Sequence, residues 1–92
     1  MKAVVLGAGL VGRCAVRNLI RSSDVSEVVV ADLETAQTEK FATGLGSSKV
    51  QAVGVDVRDH EKTAAVLKDA DVALNAVQYY FNVDVMKGAL KA

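Results

Sequence analysis

Val4-Val5-Leu6-Gly7-Ala8-Gly9-Leu10-Val11-Gly12 is the stretch that decides how this chain folds. The apolar run Ala3 to Leu6 reads as a short strand buried on both faces, the pattern of a central strand in a parallel sheet. It ends in Gly-x-Gly-x-x-Gly, and a helical pattern follows at once. Gly7 permits the tight turn out of the strand, Gly9 lets the backbone approach a pyrophosphate, and Gly12 lets the helix lie against the strand. The free N–H groups and positive dipole end of that helix make an anion site.

Glycine turns occur in many folds, so the context carries the reading. The second apolar run, Val28-Val29-Val30-Ala31, ends in Asp32, twenty residues after Gly12. A carboxylate at that distance accepts hydrogen bonds from the ribose hydroxyls of an adenosine. The bland alternative is that it caps the next helix. Strand, glycines, helix and acid together predict a dinucleotide-binding unit. Asp32, followed by Leu33 and Glu34, also bears on the choice of cofactor. Its carboxylate repels a 2′-phosphate and no arginine adjoins it, so NAD is expected over NADP.

The 92 residues suit one small domain, with 51% apolar residues and no proline. Eleven basic and eleven acidic residues cancel, which gives no reason to expect a nucleic acid or a membrane surface as partner. Cys14 is the only cysteine, so no intrachain disulfide forms, and a cytoplasmic setting is expected. It reads as a small buried residue of the first helix. The apolar start is too short for a signal peptide and is broken by Arg13; no stretch has the length of a bilayer span.

The first helix is expected over Leu10 to Arg21, with Leu10, Cys14, Val16 or Ala15, Leu19 and Ile20 as its apolar face. Arg13, Arg17 and Arg21 form a solvated ridge from which Arg13 has a phosphate within its range. A strand over Glu27 to Ala31 precedes a helix of about Glu34 to Ala42, packing through Phe41 and Leu45. Val50 to Val55 is the third strand, and Asp59 caps a helix with Ala64, Val66 and Leu67 inward. Asp71 to Asn75 is the fourth strand; Asn82 caps a last helix with the stripe Val83, Met86 and Leu90. Right-handed crossovers then give an α/β, Rossmann-like doubly wound parallel sheet in the order 3-2-1-4, one NAD-binding domain over residues 1–92. The fourth strand would be an uncovered edge. The chain is therefore expected to be a truncated fragment of a larger enzyme, or to form a homo-oligomer through that edge.

Ligands of such sheets sit beyond the carboxyl ends of the strands, where the order reverses. Asn75, Ala76 and Val77 are accordingly expected beside the cofactor. Tyr79 and Tyr80, with Gln78 and Phe81, either face its reactive end on the substrate side or merely cover the last helix. Asp56 and Val57 are placed to touch adenine, although Asp56 alternatively satisfies turn amides. His60 reads as a surface residue. No metal-ligand cluster or nucleophile–base pair is visible, and no catalytic residue is assigned.

Lys2 to Gly12, Val55-Asp56-Val57-Arg58-Asp59, Asp71 to Val77 and above all Gln78-Tyr79-Tyr80-Phe81-Asn82 resemble the saccharopine dehydrogenase-like family, in particular its lysine 6-dehydrogenases. The resemblance covers the whole chain but only the cofactor-binding part of such a protein. It implies an NAD(P)-dependent oxidoreductase of amino-acid metabolism, acting on CH–NH or CH–NH2 groups of lysine-derived amines. The small amino-acid substrate and the catalytic residues would belong to the remainder. By the same resemblance Gly7, Gly9, Leu10, Val11 and Gly12 hold the pyrophosphate, Asp32 the adenosine ribose, and Ala76 and Val77 line the nicotinamide ribose. Asp56 and Val57 approach adenine. Relatives often carry proline where this chain has Gln78. The chain alone is expected to bind NAD(H) weakly and to turn nothing over. Two other classes fit less well: a non-catalytic nucleotide-binding regulatory module of the potassium-transport type, and a methyltransferase, whose usual Gly-x-Gly-x-Gly is broken here by Val11.

Overall fold

The computed structural model describes residues 1–77 and 81–92. Strands β1 (Lys2–Leu6), β2 (Glu27–Asp32), β3 (Val50–Gly54) and β4 (Val72–Asn75) alternate with helices α1 (Leu10–Arg21), α2 (Thr35–Gly44), α3 (His60–Leu67) and α4 (Asn82–Lys91). All strand pairs are parallel, in the order β3-β2-β1-β4. Ala3, Val4, Val5 and Leu6 have no exposed surface, as the unbroken apolar run requires.

Alternation along the central strands divides the core in two. Ala3, Val5, Val28 and Val30 pack with Val16 and Ala42 on the α1–α2 side. Val4, Leu6, Val29 and Ala31 pack with Leu67 and Val85 on the α3–α4 side. The Phe41 and Leu45 anchors of α2 lie on the first cluster, as their spacing predicts. Asp59 caps α3 as expected, its Oδ1 accepting the Lys62 N–H at 3.2 Å.

One helix departs from the expectation in part and another in full. In α1, Ala15, Val16, Leu19 and Ile20 pack on the core as expected, but Leu10 is 80% exposed and Cys14 is also exposed, and Gly12 is buried in their place. In α4, Val83, Met86 and Leu90 face outward, and Val85 and Gly88 are buried. The reason is the same in both: a glycine permits a closer approach than a large apolar side chain, and the helix seats with that glycine at the contact. The α4 cap also differs. Phe81 occupies the N-cap position, and Asn82 is the first helical residue, its Oδ1 accepting the Asn75 Nδ2–H at 2.9 Å.

The α3–α4 contact is consequently tight. A Cβ on Gly88 would stand 2.6 Å from Thr63 Cγ2 and 2.8 Å from Thr63 Cβ. Thr63 is fully buried and β-branched, with its hydroxyl donating to the Asp59 carbonyl at 3.0 Å, so it has little room to yield. Gly88→Ala gains about 1 kcal/mol of helix propensity but overpacks the seam by about 1–3 kcal/mol. The expected net result is a lower melting temperature, by roughly 5–10 °C. Thermal unfolding checks it, and Thr63→Ser on the same background is expected to restore part of the loss.

The outer edge of β4 is uncovered, with Val72 and Leu74 more than a third exposed. Among the described residues no helix is long and apolar enough to cross a membrane.

Candidate functional site

The turn after β1 is built on two contacts that exclude side chains. Gly7 has φ +105° and donates its N–H to the Ala31 carbonyl at 2.7 Å. A Cβ there would stand 2.7 Å from the Ala76 carbonyl oxygen, so the loop after β4 rests directly on the glycine turn. Ala76 in turn donates its N–H to the Leu6 carbonyl at 2.8 Å. Gly12 presses on the Gly7 carbonyl, leaving no space for a Cβ. Gly9 is different. Its φ of −75° suits any residue, and nothing stands within 4 Å of where its Cβ would be. The fold does not require glycine at this position. It lies at the N-cap of α1, which carries no side-chain cap and no acidic residue in its first turn, so the first N–H groups remain available to an anion.

Two clefts open beside Gly9. The inner one, about 430 Å³, runs under the carboxyl ends of the strands. It gathers Gly7, Asp32, Leu33, Asp56, Val57, Ala76 and Val77 of the expected residues. The outer one, about 410 Å³, lies between the starts of α1 and α2 and takes in Leu10. Gly9, Asp32 and Glu34 border both. Val11 is 72% exposed on α1 and lines neither cleft. Asn75 lines neither cleft; its Oδ1 accepts the Val77 N–H at 3.3 Å and its Nδ2–H donates to Asn82 Oδ1. Tyr79 and Tyr80, and Gln78 before them, lie outside the described residues.

Asp32 joins the glycine turn to the next loop. Its Oδ2 accepts the Ala8 N–H at 2.6 Å and its Oδ1 the Glu34 N–H at 2.9 Å. These bonds fix the plane of the carboxylate and leave lone pairs facing the clefts. Arg13 lines the outer cleft. Its Nε donates to the Ala8 carbonyl at 2.8 Å, and its guanidinium lies 5.2 Å from the centre of the Phe41 ring, with Arg17 at 5.4 Å.

Phe81, weighed with Tyr79 and Tyr80 in the sequence, lines the inner cleft, and three further wall residues were not expected there: Ala31, Val55 and Arg58. Arg58 clamps Asp56 through Nε at 3.0 Å and Nη2 at 2.7 Å, while its N–H donates to Asp56 Oδ1 at 3.0 Å. Asp56 thus does satisfy a turn amide. The Asp-x-Arg spacing at 56 and 58 was the signal available in the sequence. The Arg58 side-chain bond, then its backbone N–H, hold the Asp56 carboxyl down from 3.8 to about 2. A carboxyl lowered on folding contributes stability that is present above 3.8 and lost as pH falls towards about 2. In Arg58→Gln the fall in melting temperature over that window is expected to flatten. Equal slopes in the two proteins would show that this exposed pair contributes nothing.

His60 is half-buried, not a bare surface residue. Its Nε2 lies 2.8 Å from Asp84 Oδ1 and ties α3 to α4 away from the clefts. Among the described residues no group of His, Cys, Asp and Glu could hold a metal ion.

Residues 3–92 match the family described as "Saccharopine dehydrogenase NADP binding domain". The chain belongs to this family. It is 31% identical over 88 residues to the saccharopine dehydrogenase [NADP(+), L-glutamate-forming] of Saccharomyces cerevisiae, covering 96% of this chain and 19% of that protein. The apo saccharopine dehydrogenase (L-Glu forming) structure from the same yeast superposes with a TM-score of 0.83, at 30% identity, over 98% of this chain and 19% of that one. Quinate dehydrogenase from Corynebacterium glutamicum, in complex with NAD, gives a TM-score of 0.63 at 32% identity, over 83% of this chain and 26% of that one. The saccharopine dehydrogenase-type domain therefore spans about a fifth of the yeast relative's length. The expected family and Rossmann-like architecture are both found, and the nucleotide-binding role of an oxidoreductase domain follows from them.

Proposed function

We propose that this domain holds and orients NAD(H) for a dehydrogenase acting on a lysine-derived amine of the saccharopine type. The observation that carries the reading is Gly9. A residue whose backbone does not need glycine, and whose missing side chain faces no protein atom, stands at a helix N-terminus between two clefts. That is a cradle a Cβ would fill, and a pyrophosphate fits it.

In this reading the N–H groups opening α1 hold the pyrophosphate and Asp32 accepts the adenosine ribose hydroxyls. Asp56, Val57 and Arg58 wall the adenine. Ala76 and Val77, fixed through Leu6 and Asn75, support the nicotinamide ribose. The bound nicotinamide supplies hydride chemistry at the amine-bearing carbon. The fixed Asp32 carboxylate supports NAD over NADP. The family is described as NADP-binding, and the comparison of NADH with NADPH below tests the preference on this chain. The substrate is inferred from the relative named for saccharopine.

Calorimetric titration with NADH, NADPH, ATP and S-adenosylmethionine tests the reading. NADH is expected to bind ahead of the other three. Tighter binding of ATP would transfer the chain to the regulatory nucleotide-binding class, and tighter binding of S-adenosylmethionine to the methyltransferases.

A further inference from the structure

The loops after β3 and β4 leave the two outer strands of the sheet, so they stand at opposite ends of the inner cleft. At the β4 end the described wall is Ala76, Val77 and Phe81, all from the connection between β4 and α4. Backbone contacts hold Ala76: its N–H donates to the Leu6 carbonyl, and its own carbonyl lies against Gly7. Val77 and Phe81 pack on the α3–α4 side of the core, which sets their depth. Apolar packing is non-directional, so it does not set their position along the wall. Two asparagines do.

Asn75, the last residue of β4, uses both ends of its amide. Its Oδ1 accepts the Val77 N–H at 3.3 Å. A backbone N–H can meet only the oxygen of that amide, so the Nδ2–H group is left to donate, and it does so to Asn82 Oδ1 at 2.9 Å. Asn82 opens α4 directly after Phe81. The entry and the exit of the connection are thus joined by side chains seven residues apart. Asn82 is spent on this bond while α4 has no side-chain cap. Both asparagines are exposed, and neither lines a cleft, so core packing does not account for them. We infer that Asn75 and Asn82 are positioning residues for the nicotinamide half of the crevice: their bond closes the connection at its base and holds Val77 and Phe81 where the nicotinamide end of the dinucleotide meets the wall. The inference rests on the dinucleotide reading and deepens it. The site needs a donor and an acceptor on one short side chain at position 75, which asparagine supplies, and only an acceptor at position 82.

The test is calorimetric titration with NADH and with ADP of the wild-type chain, Asn75→Ala, Asn82→Ala and Asn82→Asp. ADP ends at its diphosphate and lacks the nicotinamide half, so it reports any general loss of fold or change of field. Asn82→Ala is expected to lower NADH affinity about two- to tenfold, the worth of one neutral hydrogen bond, and to leave ADP affinity unchanged. Asn75→Ala also releases the Val77 N–H and is expected to cost NADH more. Asn82→Asp keeps the acceptor and is expected to bind NADH as wild type does. Equal losses of NADH and ADP in the alanine variants would make the pair a general structural bond and overturn the inference, as would an unchanged NADH affinity. An Asn82→Asp protein as weak as Asn82→Ala would overturn it too, because the acceptor would then not be what matters. In each of these cases the dinucleotide reading stands. Failure of the wild-type chain to bind NADH would bring down that reading, and this inference with it.

Discussion

Gly12→Ala is expected to be the most damaging single-methyl substitution in this domain. The added Cβ would coincide with the Gly7 carbonyl, and Gly7 cannot retreat. Its N–H is bonded to Ala31, its φ is +105°, and the Ala76 backbone lies directly behind it. A clash with backbone held from three sides cannot relax by a rotamer change, so α1 must lift from the sheet. The lift would open the Val16 and Ala3 side of the core. A cost of about 4 kcal/mol or more is expected, against a total stability of roughly 5–14 kcal/mol for a domain of this length. The melting temperature would fall by about 15 °C or more, read by circular dichroism. Gly9→Ala is the matched control. Its Cβ meets nothing in the protein, so the same experiment should show an unaltered melt, with NADH binding lost because the methyl fills the pyrophosphate cradle. A Gly12→Ala protein that melts like wild type would mean that α1 does not sit on the glycine turn.

Asp32→Ala carries the second large effect, on binding more than on folding. The substitution removes the acceptor for two backbone N–H groups, at a cost of about 1–3 kcal/mol. In the proposed reading it also removes the charged acceptor for the ribose hydroxyls. A hydrogen bond to a charged group contributes about 1.5–3 kcal/mol, so NADH affinity is expected to fall roughly 10- to 150-fold. Calorimetry and thermal unfolding of the same samples separate the two losses. A lower melting temperature with unchanged NADH affinity would reduce Asp32 to a turn residue, the alternative open from its position after β2. Asp32→Asn retains one acceptor and should fall between the two in both measurements.

Both substitutions fall on positions legible in the sequence. Three glycines at fixed spacing, an acid twenty residues on and unbroken valine runs are local signals, and they determined the strands, their parallel order and the loops that meet at the crevice. Asp56 and Val57 were placed by the same logic, since the ends of parallel strands converge on one side. Arg58 escaped it, because its place on the wall follows from a clamp onto Asp56 that a periodicity does not express.

What only the tertiary structure decided is how two of the helices seat on the rest of the domain. In α4 the stripe Val83, Met86 and Leu90 is the natural choice by hydrophobic pattern, and the structure buries Val85 and Gly88 instead. In α1, Ala15, Val16, Leu19 and Ile20 pack inward as the pattern predicts, but the first turns bury Gly12 and leave Leu10 and Cys14 exposed. Burial of apolar area favours the large residues, but close packing favours whichever face lets the backbones approach, and Gly12 against Gly7 and Gly88 against Thr63 settle that contest. A glycine has no side chain to register in a hydrophobic pattern. Its effect exists only once a second element lies against it, which is why the chain's sequence fixes the order of its parts while their facing emerges from contact.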